Sequence, residues 1–399
     1  MEWKKYSVED SFFSFTGVLA VFLIFSSFYF QSFLIFFLAV FLLLFVFANS
    51  FYLKHVGKKL YLENLKLRNK FFPQENGEWV LVFENKGLPI MKGQLRVYFD
   101  DQVAPLDGFG DKRLTKYEVN LPMSLNYNQR TIVKIPFKTI KRGVAKIRTI
   151  ELQIPHFFGL GETVLEYKFL FLPEALVYPL PFPVKNKGLF LSVRPGESPA
   201  SFSLYEDFLS PAGTREYVSS DSFNRIHWKA SARMQTLQTK IYDRVAETGW
   251  HLSLNIANGH AISSQIEEFI SSAAELAYYS AKQQIPFSLC INIRVAGSIP
   301  FYYIPAGVGN EQLQKVLEAL AYVNPYSSAY PYEKMLSFYS RHLTNQPFFI
   351  HGGHRSTQSD ELLRLFKQKG TSVLELTLEK DLEAILLPIQ FPMKDVIGN

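Results

Sequence analysis

The chain has 399 residues, which is long enough for about two or three domains with cores of their own. Its formal net charge of +6 is a mild excess of cations, and loops beside a membrane explain it as well as nucleic-acid binding does. The single cysteine, Cys290, excludes an intrachain disulfide and a cysteine-based metal cluster. Because Cys290 lies in an apolar run, we expect a buried structural thiol and not a nucleophile.

The N-terminal region is apolar over two successive stretches. Residues 12–30 carry no charge, and residues 33–52 are again uncharged after Gln31 and Ser32. A single helix of about 40 residues would measure roughly 60 Å, about twice the hydrocarbon core of a bilayer. We therefore expect residues 1–59 to form two membrane-spanning helices with a tight turn between them. A cleaved signal peptide fits less well, because its apolar region has only about 7–15 residues.

The flanking lysines predict the orientation of this hairpin. Lys4 and Lys5 precede the first span, and Lys54, Lys58 and Lys59 follow the second. The positive-inside rule places both ends of the hairpin, and both termini of the chain, in the cytoplasm. Neither span carries a Gly-xxx-Gly pattern or a charged side chain, so we expect an anchor in the cell membrane and not a channel or a transporter.

The hydrophobic period changes after the anchor. Residues 78–85 and 145–154 alternate apolar and polar side chains, and turn-forming residues separate such stretches. This pattern predicts an antiparallel β-sandwich of about six or seven strands in residues 60–185. The alternation changes phase between Thr149 and Ile150, which predicts a β-bulge.

The C-terminal region alternates strands and helices. Residues 179–188 are Pro-rich and then basic, as in a linker, and residues 250–257 are a strand candidate. The apolar side chains that follow recur at helical spacing. They are Ile266, Phe269, Ile270, Ala273 and Ala277. Residues 186–399 therefore predict an α/β sandwich with a largely parallel sheet, whose ligand-binding edge is formed by the loops after the strand C-termini.

Residues 219–235 mix apolar side chains with several ionisable ones. We expect Asp221 to be the N-cap of a short helix. On such a helix Arg225, Lys229 and Arg233 share one face at i, i+4 and i+8. Like charges at that spacing destabilise a helix by about a few tenths of a kcal/mol per pair unless other groups compensate them.

Three interpretations of this segment remain open. In a structural clasp, Glu216 and Asp221 neutralise part of the basic face. In a binding surface, an external anion or an acidic partner supplies the rest. In a catalytic site, Asp221 would orient His227 as a base close to Ser231. Because no oxyanion hole or substrate pocket can be recognised, we expect no catalytic residue and no enzymatic activity.

The same residues resemble the signature of the domain-of-unknown-function-58 (DUF58) family, most specifically in residues 215–233. The resemblance spans residues 10–300 and includes turns at residues 141–143 and 155–161, and Ser220 stands where the family pattern has Gly. The matching signature positions are Arg215, Glu216, Tyr217, Asp221, Arg225, His227, Trp228, Lys229, Ser231 and Arg233.

The resemblance implies three domains. Residues 1–59 would form an N-terminal two-helix transmembrane hairpin, and residues 60–185 an antiparallel β-sandwich. Residues 186–399 would form a C-terminal α/β domain that is Rossmann-like and similar to von Willebrand factor type A, with the signature at residues 215–233.

Domains of the von Willebrand type A class bind Mg²⁺ through Asp-x-Ser-x-Ser at the end of their first strand. By alignment this chain has Asn255, Ala257 and Gly259 at those positions, so the metal motif is degenerate. His351 and His354 follow a later strand and could form a metal pair. Two histidines make an incomplete site, and a strand-to-helix loop is the simpler interpretation. We expect no metal and no cofactor.

The anchor and the lack of a complete catalytic set favour a non-enzymatic membrane-anchored adaptor that contacts the lipid bilayer and a protein partner. The resemblance implies a bacterial protein whose partner is a MoxR-type AAA+ ATPase, since the two are often genomic neighbours, or an envelope-assembly client. We expect no nucleic acid, because the three cations lack interleaved exposed aromatic side chains. The alternative is a hydrolase or phosphate-handling enzyme centred on Asp221, His227 and Ser231.

Overall fold

The computed structural model divides the chain into two compact units, Met1–Tyr178 and Pro179–Asn399. The division falls at the start of the predicted linker, before the predicted boundary at residues 185–186. Of the turn at residues 155–161, all but Pro155 lies outside the described residues. The structure describes residues 2–7, 11–106, 110–113, 115–155, 162–188, 198–199, 206–246, 249–259, 261–324, 327–343, 346–379 and 383–391.

The first unit begins with a short strand and two apolar helices and continues with strands. Its elements are β1 (Trp3–Ser7), α1 (Ser11–Tyr29), α2 (Phe33–His55), β2 (Leu60–Leu62), β3 (Arg68–Phe71), β4 (Asn76–Asn85), β5 (Ile90–Asp100), β6 (Val103–Pro105), β7 (Gly110–Arg113), β8 (Lys116–Leu125), β9 (Gln129–Thr139), β10 (Gly143–Pro155), β11 (Glu162–Tyr167) and β12 (Glu174–Val177).

Helix α2 is long and apolar enough to cross a membrane, with a mean hydropathy of 2.7. Only 11% of that stretch is buried, so its apolar side chains face outward and do not form the core of a soluble domain. Helix α1 is also apolar and contacts α2. The turn between them is tight, because Gln31 adopts the left-handed backbone with φ of 48°.

The strands of this unit form a predominantly antiparallel pair of sheets. One sheet has the order β1-β11-β10-β5-β8-β7, with β12 and β3 continuing from β10, and the other has the order β2-β4-β9-β6. Alternate side chains such as Leu81, Phe83 and Leu95 are buried in one core, as the period-2 pattern predicts. The register shift lies between Ile147 and Thr149, slightly earlier than predicted. The sandwich also has more strands than the six or seven expected.

Strand β1 precedes the two apolar helices and was not expected, since residues 1–59 are predicted to be anchor alone. It pairs with β11, and the Trp3 side chain is 1% exposed. Trp3 Nε1 donates to the Leu60 carbonyl at 3.0 Å, and its ring stacks on Phe83. Strands on both sides of the helix pair therefore belong to one sandwich core.

The second unit contains a large mixed sheet, helices and a separate hairpin. Its elements are β13 (Val184–Lys185), β14 (Ser198–Pro199), β15 (Glu206–Glu216), a 3₁₀ turn (Phe223–Arg225), α3 (Trp228–Met234), β16 (Gln238–Ala246), β17 (Trp250–Asn255), β18 (Ala257–Asn258), β19 (Ala261–Ile262), α4 (Ile266–Lys282), β20 (Phe287–Arg294), β21 (Phe301–Gly307), α5 (Gly309–Tyr322), α6 (Tyr332–His342), β22 (Phe348–Gly353), α7 (Thr357–Gln368), β23 (Ser372–Leu378) and β24 (Ala384–Pro388).

The large sheet has the order β13-β24-β23-β22-β17-β20-β21. Strand β17 pairs in parallel with both β20 and β22, and every one of its residues is buried, as a central parallel strand requires. The chain passes from β17 to β20 on one side and reaches β22 on the other side only later. Loops that leave the carboxyl ends of β17 and β22 therefore diverge, which opens a crevice between them.

Helices flank this sheet in two contacting pairs, α4 with α5 and α6 with α7. The predicted stripe of α4 is confirmed, because Ile266, Ile270, Ala273 and Ala277 are buried. Cys290 lies on β20 and is fully buried, as expected.

Strands β15 and β16 form a separate antiparallel hairpin, with β14 added beside β16. We call residues 206–246 the arm and residues 217–237, which connect its two strands, the arm tip. The arm tip contains most of the signature positions.

Candidate functional site

The arm tip is not the single helix expected from its sequence. A 3₁₀ turn ends at Arg225, Ile226 then takes an extended backbone, and α3 begins only at Trp228. Ile226 is buried and pairs with Thr239, and this pairing interrupts the helix. The predicted N-cap at Asp221 is therefore wrong, since His227 caps α3. Arg225 consequently does not share a helical face with Lys229 and Arg233.

Asp221 instead joins the two ends of the arm tip. Its carboxylate accepts hydrogen bonds from the Arg215 guanidinium, from the Val218 amide at 3.1 Å and from Thr239 Oγ1 at 3.0 Å. These donors, the Arg215 guanidinium first, lower the pKa of Asp221 to about 2. Asp221 therefore forms a clasp with Arg215, a residue outside the basic face that the sequence interpretation had Asp221 neutralise.

A second contact fixes α3 to the arm. His227 Nδ1 accepts from the Ala230 amide at 3.1 Å, so a neutral ring carries its proton on Nε2. Ser231 Oγ donates to the His227 carbonyl at 3.1 Å and accepts from the buried Gln238 amide at 2.8 Å. Within the described part of the chain, no hydrogen bond joins the Asp221 carboxylate, the His227 ring and the Ser231 hydroxyl to one another.

The signature residues Arg215, Glu216 and Tyr217 also provide backbone pairing, whereas Arg225 is half-buried. Arg215 pairs with Thr239 across the arm, and Glu216 pairs with Gln238. The Tyr217 amide donates to the Leu237 carbonyl at 2.8 Å, which closes the arm tip.

Large apolar side chains cover the outer surface of the arm tip. The Phe223, Trp228 and Met234 side chains are 69%, 58% and 63% exposed. The Phe223 and Trp228 rings meet edge to face, with centroids 5.5 Å apart. Lys229 and Arg233 are exposed beside them. We expected no exposed aromatic side chains among these cations, so their exposure corrects that expectation. We call Val218, Phe223, Trp228, Met234, Leu237 and Ile241 the apolar patch.

A second feature lies at the carboxyl ends of the parallel strands. This strand-end cavity has a volume of about 650 Å³, and the three degenerate metal-motif positions, Asn255, Ala257 and Gly259, all line it. Its wall also includes Glu333, from the first turn of α6, and His354. The end of β17 and the loop after it therefore contribute these three residues to the lining of this cavity.

Asn255 lines the cavity and is hydrogen-bonded to Asn292, which is fully buried behind it, and we call these two amides the floor. Asn255 Oδ1 accepts from the Ala257 amide at 3.1 Å and from Asn292 Nδ2 at 2.7 Å, while Asn255 Nδ2 donates to the His354 carbonyl at 2.8 Å. Asn292 Oδ1 accepts from the Ile256 amide at 2.7 Å. These bonds join the ends of β17, β20 and β22. The sequence pattern did not predict Asn292, although an amide inside the apolar strand β20 is a signal for it.

A buried chain of hydroxyls and one imidazole continues below the floor. The Tyr332 hydroxyl lies 2.9 Å from Ser253 Oγ and 2.6 Å from His351 Nδ1, and His351 Nε2 lies 3.1 Å from the Gly353 carbonyl. A carbonyl can only accept, so Nε2 carries the proton and Tyr332 donates to Nδ1. Burial lowers the pKa of His351 to about 3, which keeps the ring neutral.

The histidine pair considered as a metal site is not available in this arrangement. Both ring nitrogens of His351 have hydrogen-bond partners, while His354 lies at the cavity wall. Among the residues that the structure describes, no group of three His, Cys, Asp or Glu side chains is close enough to hold a metal ion.

Three solved structures to which the chain is similar are remote from it in sequence. The CARDB domain of a Pyrococcus furiosus protein, solved in complex with di-metal ions, is 11% identical with a TM-score of 0.17, over 30% of this chain and 85% of that one. A putative membrane anchored protein from Corynebacterium diphtheriae is 10% identical with a TM-score of 0.21, over 31% and 33%. Spo0M, a sporulation control protein from Bacillus subtilis, is 9% identical with a TM-score of 0.17, over 30% and 49%.

No curated protein matches the chain. A family match does exist, over residues 213–381, which is less than half of the chain. It begins later and extends further than the resemblance over residues 10–300. The arm tip and the strand-end cavity both lie within this segment, which matches the family described as Protein of unknown function DUF58.

Proposed function

We propose that this protein is a non-enzymatic, membrane-anchored adaptor that binds a protein partner through the arm tip. The observation that carries this proposal is the apolar patch, which is exposed but rigidly supported. Large exposed clusters of apolar side chains mark interaction sites, and the exposed Phe223 and Trp228 rings are in contact with each other. Trp, Phe, Met and Arg are the residue types that protein interfaces favour.

The support beneath the patch argues for recognition and not for a loosely folded loop. Asp221 holds the start of the arm tip, and Ser231 holds α3 against β16. A surface that is ordered before binding loses less conformational entropy when a partner docks. The clasp and the binding surface are then two aspects of one structure.

The anchor in this proposal is a two-helix hairpin with both ends in the cytoplasm. Strands β1 and β2 flank the helix pair and share one sandwich core, which supports an even number of spans. The lysines beside α1 and α2 support the cytoplasmic side. The protein would then present its arm in the cytoplasm at the membrane.

The second unit is proposed to be a von Willebrand factor type A-like domain. Counted from β17 in chain order, its strands lie in the sheet order 3-2-1-4-5-6, with β13 added at one edge. This is the order of doubly wound α/β domains, and it supports the Rossmann-like assignment.

The partner should combine apolar anchors with acidic side chains. Asp221 is already neutralised by Arg215, whereas Lys229 and Arg233 are exposed beside the apolar patch. Charge complementarity would set the orientation and association rate, and burial of Trp228 would supply much of the affinity. A MoxR-type AAA+ ATPase is our first candidate, and an envelope-assembly client is the second.

The test uses the full chain in lipid nanodiscs and a purified MoxR-type ATPase from the same organism. We expect direct binding that Trp228→Ala and Phe223→Ala each weaken by about tenfold or more. Tyr127→Ala is the matched control, because Tyr127 is an equally exposed aromatic residue of the sandwich. Binding that is unchanged in both arm variants would contradict the arm as the docking surface.

A photo-crosslinking amino acid at position 228 in native membranes tests the class of partner. Crosslinks to one protein, lost when Lys229 and Arg233 are replaced by Glu, support the proposal. Crosslinks to lipid alone would overturn it and would indicate that the arm tip docks on the membrane surface.

A further inference from the structure

The strand-end cavity occupies the position where α/β sheets bind ligands. It lies outside the carboxyl ends of β17 and β22. These two neighbouring strands form the topological switch point, because the strands that follow β17 and those that follow β22 are added on opposite sides of the sheet. Its volume of about 650 Å³ falls within the range of small-molecule and side-chain pockets. Nothing in the arm contributes to its described lining, so the cavity is a second site.

The floor of this cavity is complete and uncharged. The Asn255 and Asn292 side chains bond to each other and to backbone groups, and Tyr332 bonds to the neutral His351 ring. Arg355, which follows His354, points to other partners, since it pairs with Asp360 at 3.2 Å and with Glu375 at 3.1 Å. The floor is therefore pre-organised and supplies no cation.

The wall of the cavity carries one carboxylate without a cation. Ser356 Oγ donates to Glu333 Oε1 at 2.5 Å, which fixes the orientation of the carboxylate. Within the described ranges, no residue donates to Glu333 Oε2 and none offers a cation within ion-pair distance. Arg294 lies instead over the Tyr330 ring, with its guanidinium carbon 5.7 Å from the centroid.

We infer that the strand-end cavity binds an ammonium or guanidinium group, with the Glu333 carboxylate as its counter-ion. Glu333 lies in the first turn of α6, where the helix N-terminus favours a negatively charged side chain. A cationic ligand then gains a charge-assisted hydrogen bond to Oε2 in a partly enclosed site. This inference does not depend on the arm as a docking surface.

Two sources can supply this chemistry, a small free amine or the Lys or Arg side chain of a protein. Calorimetric titration of the full chain in nanodiscs should use two probes. These are agmatine and the peptide acetyl-Gly-Arg-Gly-amide, each at constant ionic strength. Tighter binding of the peptide assigns the cavity to a protein side chain, and tighter or equal binding of agmatine assigns it to a small amine.

Glu333→Gln is the deciding variant, because it keeps the shape and the acceptor for Ser356 while removing the charge. We expect it to weaken binding by about tenfold or more. Glu379→Gln removes an exposed carboxylate elsewhere in the unit and should bind like wild type. Glu333→Lys places an ammonium in the cavity and should abolish binding, with an unchanged melting temperature as the check on folding.

Three results would overturn the inference. The first is that neither probe binds the wild-type chain. The second is that Glu333→Gln binds the probes as tightly as wild type. The third is that MgCl₂ binds while both probes fail, which would indicate a site for a hard metal ion.

Discussion

The arm tip and the floor of the strand-end cavity are both held by polar side chains, but one network is exposed and the other is buried. In the arm tip, Asp221 and Arg215 form an ion pair that water can replace. In the floor, Asn255 and Asn292 are enclosed by the strand ends. Exposed ion pairs contribute little to stability, whereas a buried polar group that loses its partner costs its full desolvation. The first network thus orients a surface, and the second determines whether the unit folds.

The largest effect should come from breaking the floor. Asn292→Ala removes the side-chain acceptor of the Ile256 amide, the side-chain donor to the Tyr330 carbonyl and one of the two donors to Asn255 Oδ1. We expect the free energy of unfolding of the second unit to fall by about 2–4 kcal/mol. Denaturant titration measures it, and Asn258→Ala, at an exposed position of β18, should change it by less than about 0.5 kcal/mol.

Acid should weaken the same region before it affects the arm tip. Burial lowers the pKa values of His251 and His351 to about 3, so below about pH 6.5 the unfolded chain binds protons that the folded unit does not. Stability is therefore full above that pH and falls as the pH decreases towards 3. We expect a loss of about 1 kcal/mol per histidine between pH 7.5 and 5.5.

Unfolding at several pH values in detergent checks this prediction. His342→Gln should leave the pH dependence unchanged, because His342 is exposed. A wild-type stability that is constant between pH 7.5 and 5.5 would show that the two buried rings do not remain neutral in the folded unit.

The contact between α3 and β16 should have an intermediate, local effect. Ser231→Ala removes the acceptor of the buried Gln238 amide. We expect about 1–2 kcal/mol less protection of that amide against hydrogen exchange, without a change in the large sheet. Ser222→Ala is the control, because Ser222 is exposed and its side chain caps no helix. Equal exchange of the Gln238 amide in Ser231→Ala and Ser222→Ala would show that Ser231 does not hold α3 against β16.

The smallest effect on stability should come from the exposed ion pair. Asp221→Asn should leave the melting temperature nearly unchanged and should loosen the arm tip, seen as faster exchange of the Val218 amide. The lowered pKa of Asp221 means that its contribution is present above about pH 4 and is lost as the pH falls through about 2. The exchange of the Val218 amide should therefore differ between wild type and Asp221→Asn at neutral pH, and this difference should disappear below about pH 2. A large fall in melting temperature would show that the ion pair supports more than the arm.

Much of the fold follows from the local pattern of the sequence. The apolar stretch that becomes α2, the alternating strands such as β4 and the stripe from Ile266 to Ala277 on α4 all reflect periods that a single element imposes on its own residues. The arm tip shows the limit of this reasoning. Asp221 and its neighbours fit a helix locally, but pairing of Ile226 with Thr239 across the arm prevails.

By itself, the sequence determined the apolar N-terminal region, the β-rich region after it and the alternating C-terminal region, and it singled out the residues that form the arm tip. Only the tertiary structure decided that Trp3 belongs to the sandwich, that Arg215 pairs with Asp221, that Asn292 bonds to Asn255, and that Asn255 and Glu333 line one cavity. The physical reason is the distance along the chain between the residues that interact. Periodicity is a property of neighbouring residues, whereas each of these contacts requires segments distant in the chain to fold against one another before its hydrogen bonds can form.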